Sequence, residues 1–327
     1  MTQFYNENNM ARRPGLLAAN ACFLLAGAGL VILDALAVPI FMLVYGLFGP
    51  IGDTAALFWA DAAYYMPCVL LPGILLSKRY GARSMRLEPV PPGMGLMSVL
   101  TAALCVPMVN AVAVIWSVML ESMGIPLTET EIVMENNGDL VMGVFAMGVM
   151  PGICEELMFR GVVLRGYERY GSRKAIIISA LLFASLHGSV QGFPGQLLMG
   201  LVLGFVVCKS GSIYTGMMLH TTYNSILIML AYVQSHLPDA EVIGTTMLER
   251  IGGAQGLALM AAECAVMFII LRAIMRYFRR NAVPDSAFGP LKGATGMGVC
   301  EALILVSGVV TVIYLYINDI MYMLGYA

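Results

Sequence analysis

Apolar runs about 20 residues long, the length a helix needs to cross the hydrocarbon core of a bilayer, recur from Ala18 to Tyr322. Lipid offers the backbone no hydrogen-bond partners, so such runs fold as helices that satisfy their own amides. The expected fold class is therefore all-α, a polytopic bundle of transmembrane helices. Composition agrees: of 327 residues, 59% are hydrophobic and 12% charged, against about 25% charged in soluble domains. The span template finds about nine segments. They run roughly Ala18–Phe48, Thr54–Ser77, Gly93–Leu120, Leu140–Leu164, Lys174–Ser189, Phe193–Cys208, Ser212–Gln234, Ile251–Ile274 and Met297–Tyr322. The sixth is short enough to be re-entrant, so the expectation is about 8–9 spans.

Basic residues then orient the bundle, because Lys and Arg gather on the cytoplasmic side. With the N-terminus inside, the inner loops and inner span ends collect sixteen of the eighteen Lys and Arg residues. These include Arg12, Arg13, Lys78, Arg79, Arg86, Arg165, Arg169, Lys174, Arg279 and Arg280. Only Arg250 falls outside, and Arg160 lies within a span. The net charge of −2 thus reflects topology and gives no sign of nucleic-acid binding. The expected location is a bacterial plasma membrane with a cytoplasmic N-terminus. Three stretches follow: N-terminal spans over 1–139, a central core over 140–234 and C-terminal spans over 235–327.

Ionisable residues inside a membrane are costly, and each marks a candidate site. Here they are Asp34, Asp61, Glu155, Glu156, Arg160, His187, His220, Glu263 and Glu301. Five of them fall on the fourth, fifth and seventh spans. In Glu155-Glu156-Leu157-Met158-Phe159-Arg160, positions four apart share a helix face, so Glu156 pairs with Arg160. Glu155 points about 100° away from Glu156 and lacks that counter-charge, as suits a general base or acid. The bland alternative is an ion pair that tunes packing. His187 follows Phe183 by four residues, and Asn224 follows His220 by four. Each polar residue alone reads as interhelical hydrogen-bond glue. Together Glu155, Glu156, His187, His220 and Asn224 form a catalytic set able to supply a base, an orienter and an oxyanion site. Alternatively His187, His220 and Glu155 are ligands for Zn²⁺. The H-E-x-x-H signature of soluble zinc proteases is absent, and His236, in an outer loop, takes no role.

These motifs resemble the CPBP intramembrane proteases, a family that includes the type II CAAX prenyl endopeptidases and the Abi proteins linked to bacteriocin self-immunity. The family pattern is E-E-x-x-x-R, F-x-x-x-H and H-x-x-x-N or H-x-x-x-D on successive core helices. It appears in order as Glu155-Glu156…Arg160, Phe183…His187 and His220…Asn224. The resemblance covers about Leu140–Gln234. It implies that Glu155 and His187 activate the attacking water and that His220 with Asn224 stabilises the oxyanion. The family is commonly called metalloprotease, and a metal-free Glu/His mechanism is also proposed for it.

The expected function is an intramembrane endopeptidase acting on a peptide or membrane-protein substrate near the cytoplasmic leaflet, with the lipid bilayer as its other partner. At about 1.5 Å per residue, the span bounds place Glu155, His187 and His220 roughly 14, 20 and 12 Å from the inner surface. Water and substrate are then expected from the cytoplasm. Two other classes compete. A secondary transporter is suggested by Asp34, Asp61 and Glu263 in other spans. A non-catalytic membrane immunity or partner protein would have kept the scaffold alone.

Overall fold

The computed structural model describes residues 14–48, 58, 69–80, 84–128, 134–237, 246–283 and 296–326. Asp61 and most of the expected second span lie outside the described residues. Among those described, the chain is helical and has no strand. The helices are α1 (Leu16–Phe48), α2 (Leu71–Tyr80), α3 (Met94–Ser122), α4 (Asn137–Tyr170), α5 (Ser172–Leu186), α6 (Phe193–Ser210), α7 (Ile213–Ser235), α8 (Gly253–Arg280) and α9 (Val299–Met323). A single turn, Met247–Arg250, precedes α8.

Six helices are long and apolar enough to cross a membrane: the Leu16–Leu36 part of α1, then α3, α4, α6, α8 and α9. The expected count of eight or nine exceeds these six. α5 has only 15 residues, and α7 carries His220, Thr221, Thr222 and Asn224 in its middle. Length thus removes α5 from the six and mid-helix polar residues remove α7. Large side chains such as Leu25, Met42, Leu259, Ile269 and Val310 are exposed, as suits surfaces that meet lipid.

Two buried clusters organise the interior. One joins α1, α4, α5 and α9 through Phe23, Phe159, Leu164, Phe183 and Val312. The other joins α3, α6, α7 and α8 through Met94, Leu203, Leu219, Tyr223 and Phe278. The face between α4 and α7 runs along the seam. Lipid is as apolar as these side chains, so helix association relies on close packing and small residues. At Gly152 a Cβ would lie 2.9 Å from the Thr221 backbone nitrogen. Gly152→Ala is therefore expected to destabilise the fold by about 1–3 kcal/mol and to lower activity by separating α4 from α7. Thermal unfolding in detergent measures this, and an unchanged midpoint would refute the close-approach argument.

The end of the bundle that holds most of the described basic residues is tied by a buried ionic network. Glu168 accepts from Arg86 Nη2 at 2.6 Å and pairs with Arg165. All three side chains are buried. Arg165 Nε also donates to the Ser84 carbonyl at 2.7 Å. Arg86 sits at φ 60°, a left-handed conformation that costs a side-chain-bearing residue roughly 1–2 kcal/mol. Its carbonyl accepts from Ile213 N at 2.9 Å, and the Glu88 carbonyl accepts from Ser212 Oγ at 2.6 Å. The loop before α3 therefore anchors the start of α7. Sequence reading treats Arg86, Arg165 and Glu168 only as loop charges, since spacing does not reveal an ionic contact across 82 residues.

Candidate active site

α4 carries the first motif, and its backbone is irregular around it. The helix starts in a capping box, with Asn136 Oδ1 accepting from Gly138 N and Asp139 N, and Asp139 Oδ2 accepting from Asn136 N. π-helical turns at Val144–Val149 and Phe159–Val163 bracket the α-helical Met150–Met158. Such turns are rare and frequent at functional sites, because each widening re-aims the side chains after it.

Where the α-helical piece meets the second π turn, the expected pair forms. Arg160 Nη1 donates to Glu156 Oε1 at 2.7 Å, with both side chains fully buried. Arg160 Nη2 reaches the Gly200 carbonyl at 3.3 Å, and its guanidinium lies 4.5 Å from the Phe183 ring centroid. Glu156 is not a partner to Arg160 alone. His220 Nδ1 stands 3.1 Å from the same Glu156 oxygen. Glu156 thus ties α4 to α7 and orients His220, which sequence spacing does not show.

Glu155 points elsewhere. Its side chain is buried, and Oε2 has no hydrogen-bond partner. His220 Nε2 stands 3.9 Å from Oε2, beyond hydrogen-bond reach. His220 therefore lies between two carboxylates, bonded to Glu156 and facing Glu155.

His187 is held differently. α5 ends at Leu186, so His187 caps it, and Gly188 turns the chain at φ 62°. The expected mid-span position is corrected: α5 is too short to continue to Ser189. His187 Nδ1 lies 2.8 Å from the Phe183 carbonyl. Donation there leaves Nε2 of the neutral ring as an acceptor. The Phe183 ring contacts His187 and His220 edge-on, with centroids 4.8 and 5.9 Å apart. The F-x-x-x-H spacing thus has a physical basis: Phe183 supplies a carbonyl to one histidine, a ring to both and a π face to Arg160. The turn after His187 is fixed by three contacts that sequence reading misses. Trp116 Nε1 donates to the Val190 carbonyl at 2.8 Å, Val190 N to Asp319 Oδ2 at 2.7 Å, and Thr128 N to Gln191 Oε1 at 3.1 Å.

Asn224 Nδ2 donates to the Met147 carbonyl at 3.0 Å, and its other N–H remains for a further acceptor. Glu155, His187, His220 and Asn224 all line one cavity of about 560 Å³. Glu156 stands behind it. The remaining intramembrane candidates lie apart. Glu263 is exposed on α8. Glu301, near the start of its expected span, stands in the first turn of α9, where its Oε2 accepts from Gly298 N at 2.9 Å. Asp34 lines a second cavity.

The depths also change. α4 continues to Tyr170, which puts Glu155 about 22 Å from that end at 1.5 Å per residue. α7 starts level with Gly161, nine residues before the Tyr170 end of α4, since a Cβ on Gly161 would lie 3.5 Å from Ile213 Cδ1. From the Glu155 level, the cavity walls run through Pro151 and Met147 on α4, and through Leu227 and Ala231 on α7. These halves point away from Arg86, Arg165 and Glu168. The chamber therefore extends toward the less basic end, opposite to the expected approach.

Among the described residues no three His, Cys, Asp or Glu side chains are arranged to hold a metal. His220 Nδ1 is engaged by Glu156, and its Nε2 and Glu155 Oε2 face each other at 3.9 Å. As arranged, His187, His220 and Glu155 do not form a three-donor group of that kind.

The fold and site define a helical membrane protein with a Glu/His cluster buried between its helices. Residues 137–226 match the family model described as type II CAAX prenyl endopeptidase Rce1-like. That stretch, a little over a quarter of the chain, holds all three motifs and is similar to the type II CAAX prenyl endopeptidases over those residues. Comparison with curated proteins and with solved structures found no match.

Proposed function

We propose that this protein is an intramembrane endopeptidase that hydrolyses a peptide bond of a membrane-associated or peptide substrate with a water activated by Glu155 and His187. The observation that carries this reading is the meeting of Glu155, His187, His220 and Asn224, from three helices, in one largely apolar cavity. The Glu155 carboxylate takes a proton from water as the water oxygen attacks the carbonyl carbon. The C=O π pair moves onto oxygen, which accepts hydrogen bonds from Nε2–H of a doubly protonated His220, whose Nδ1–H is held by Glu156, and from the spare Asn224 N–H. Collapse breaks the C–N bond, and the amine takes the proton back from Glu155. His187 Nε2 orients the water, and Glu156 holds His220.

In this reading α5 and α7 cross the membrane beside the six long apolar helices. The basic end is cytoplasmic, so the chamber approaches the site from the outer half of the bilayer. The experiment is cleavage of a library of membrane peptides by purified protein in vesicles, with new N-termini identified by mass spectrometry. Absence of any cleavage would overturn the enzymatic reading and favour a non-catalytic membrane protein.

Zn²⁺ is the rival source of activated water. With the donors as arranged, cleavage is expected to survive chelation, and elemental analysis to find no stoichiometric zinc. Activity lost to a chelator and restored by Zn²⁺ would return His187, His220 and Glu155 to ligand roles.

A further inference from the structure

His187 belongs to two cavities. Besides the chamber it lines a second one of about 660 Å³, walled by α1, α6, α9 and the turn after α5. Gln196 also lines both. The two spaces differ in chemistry. The chamber wall is mostly apolar, with Val109, Met147, Met199, Leu227 and Ile228. The second brings together Asp34, Gln196, Asn318 and Asp319.

Carboxylates at membrane depth are tolerated where they face water or a partner. Asp319 accepts from Val190 N, which leaves further lone pairs to satisfy. Gln196 Oε1 is buried and has no hydrogen-bond partner, and buried polar atoms of this kind are normally satisfied by ordered water. Asp319 lies near the Met323 end of α9, and Gln196 near the start of α6. The space therefore sits toward the same end as the chamber, away from the basic network.

A peptide in an apolar chamber fills the space beside Glu155, yet each bond broken consumes one water. We infer that the second cavity is a hydrated vestibule that supplies this water to His187 from the less basic side while substrate occupies the chamber. The inference rests on the proteolytic reading. Asp34, Asn318, Asp319 and Gln196 act in it as positioning residues for water.

The test places single cysteines, Asn318→Cys or Leu315→Cys in the vestibule and Leu227→Cys in the chamber, in a background without the native cysteines. A membrane-impermeant thiol reagent is applied from each side of sealed vesicles, and cleavage is measured before and after. Both vestibule cysteines are expected to react from the less basic side. Their modification should lower kcat by about tenfold or more with little change in KM. Modification of Leu227→Cys should instead act on KM. The vestibule is refuted if folded Asn318→Cys and Leu315→Cys resist the reagent, if they react only from the basic side, or if modification leaves kcat unchanged. Lack of cleavage by the wild type would sink the proteolytic reading, while the labelling arm would still decide whether the vestibule holds water.

Discussion

Glu155→Gln is expected to lower cleavage by at least about 100-fold, the lower end of what general acid–base catalysis contributes, with thermal stability close to wild type. The carboxylate is buried, and its Oε2 has no hydrogen-bond partner. An isosteric amide therefore breaks no bond that holds α4 in place. The amide has no lone pair basic enough to take a proton from water, so the first step loses its base. The measurement pairs a cleavage rate in detergent with an unfolding midpoint on the same preparation. A rate within tenfold of wild type would remove Glu155 from the role of base. A large fall in midpoint would instead make Glu155 structural.

The sequence carries this site unevenly. Helix bounds from apolar runs agree closely with the structure, as for Phe193–Ser210 and Ile213–Ser235, because membrane helices must be apolar over a set length. The Glu156–Arg160 pair follows from helical spacing alone, and it forms. Contacts between helices are another matter. Nothing in the spacing says that His220 reaches Glu156 at 3.1 Å, or that Asp319 holds the turn after His187. The direction of the chamber is equally hidden. It depends on α7 starting level with Gly161, an offset set by the Arg86 loop and by no periodicity. The π turns of α4 also escape pattern reading, since they shift the helical phase without a distinctive residue type.

Arg160→Ala is expected to reduce folded yield sharply and to abolish cleavage. The arginine is fully buried and makes three kinds of contact: the ion pair with Glu156, a hydrogen bond to the Gly200 carbonyl and the stack on Phe183. Its removal leaves the Glu156 carboxylate with His220 as sole donor. Breaking a buried pair from one side costs about 3–5 kcal/mol, a large share of the roughly 5–15 kcal/mol that holds a typical domain together. The cost comes from the stranded charge more than from the lost attraction. The double change Glu156→Leu with Arg160→Met, which removes both charges and keeps the volume, should therefore recover much of the stability. Cleavage should stay lost, because His220 no longer has an acceptor to hold its Nδ1 and aim its Nε2. Unfolding midpoints of the two variants and the wild type decide this. If Arg160→Ala unfolds with the wild type, or if the double variant is the less stable of the two, the pair is not what couples α4 to the site.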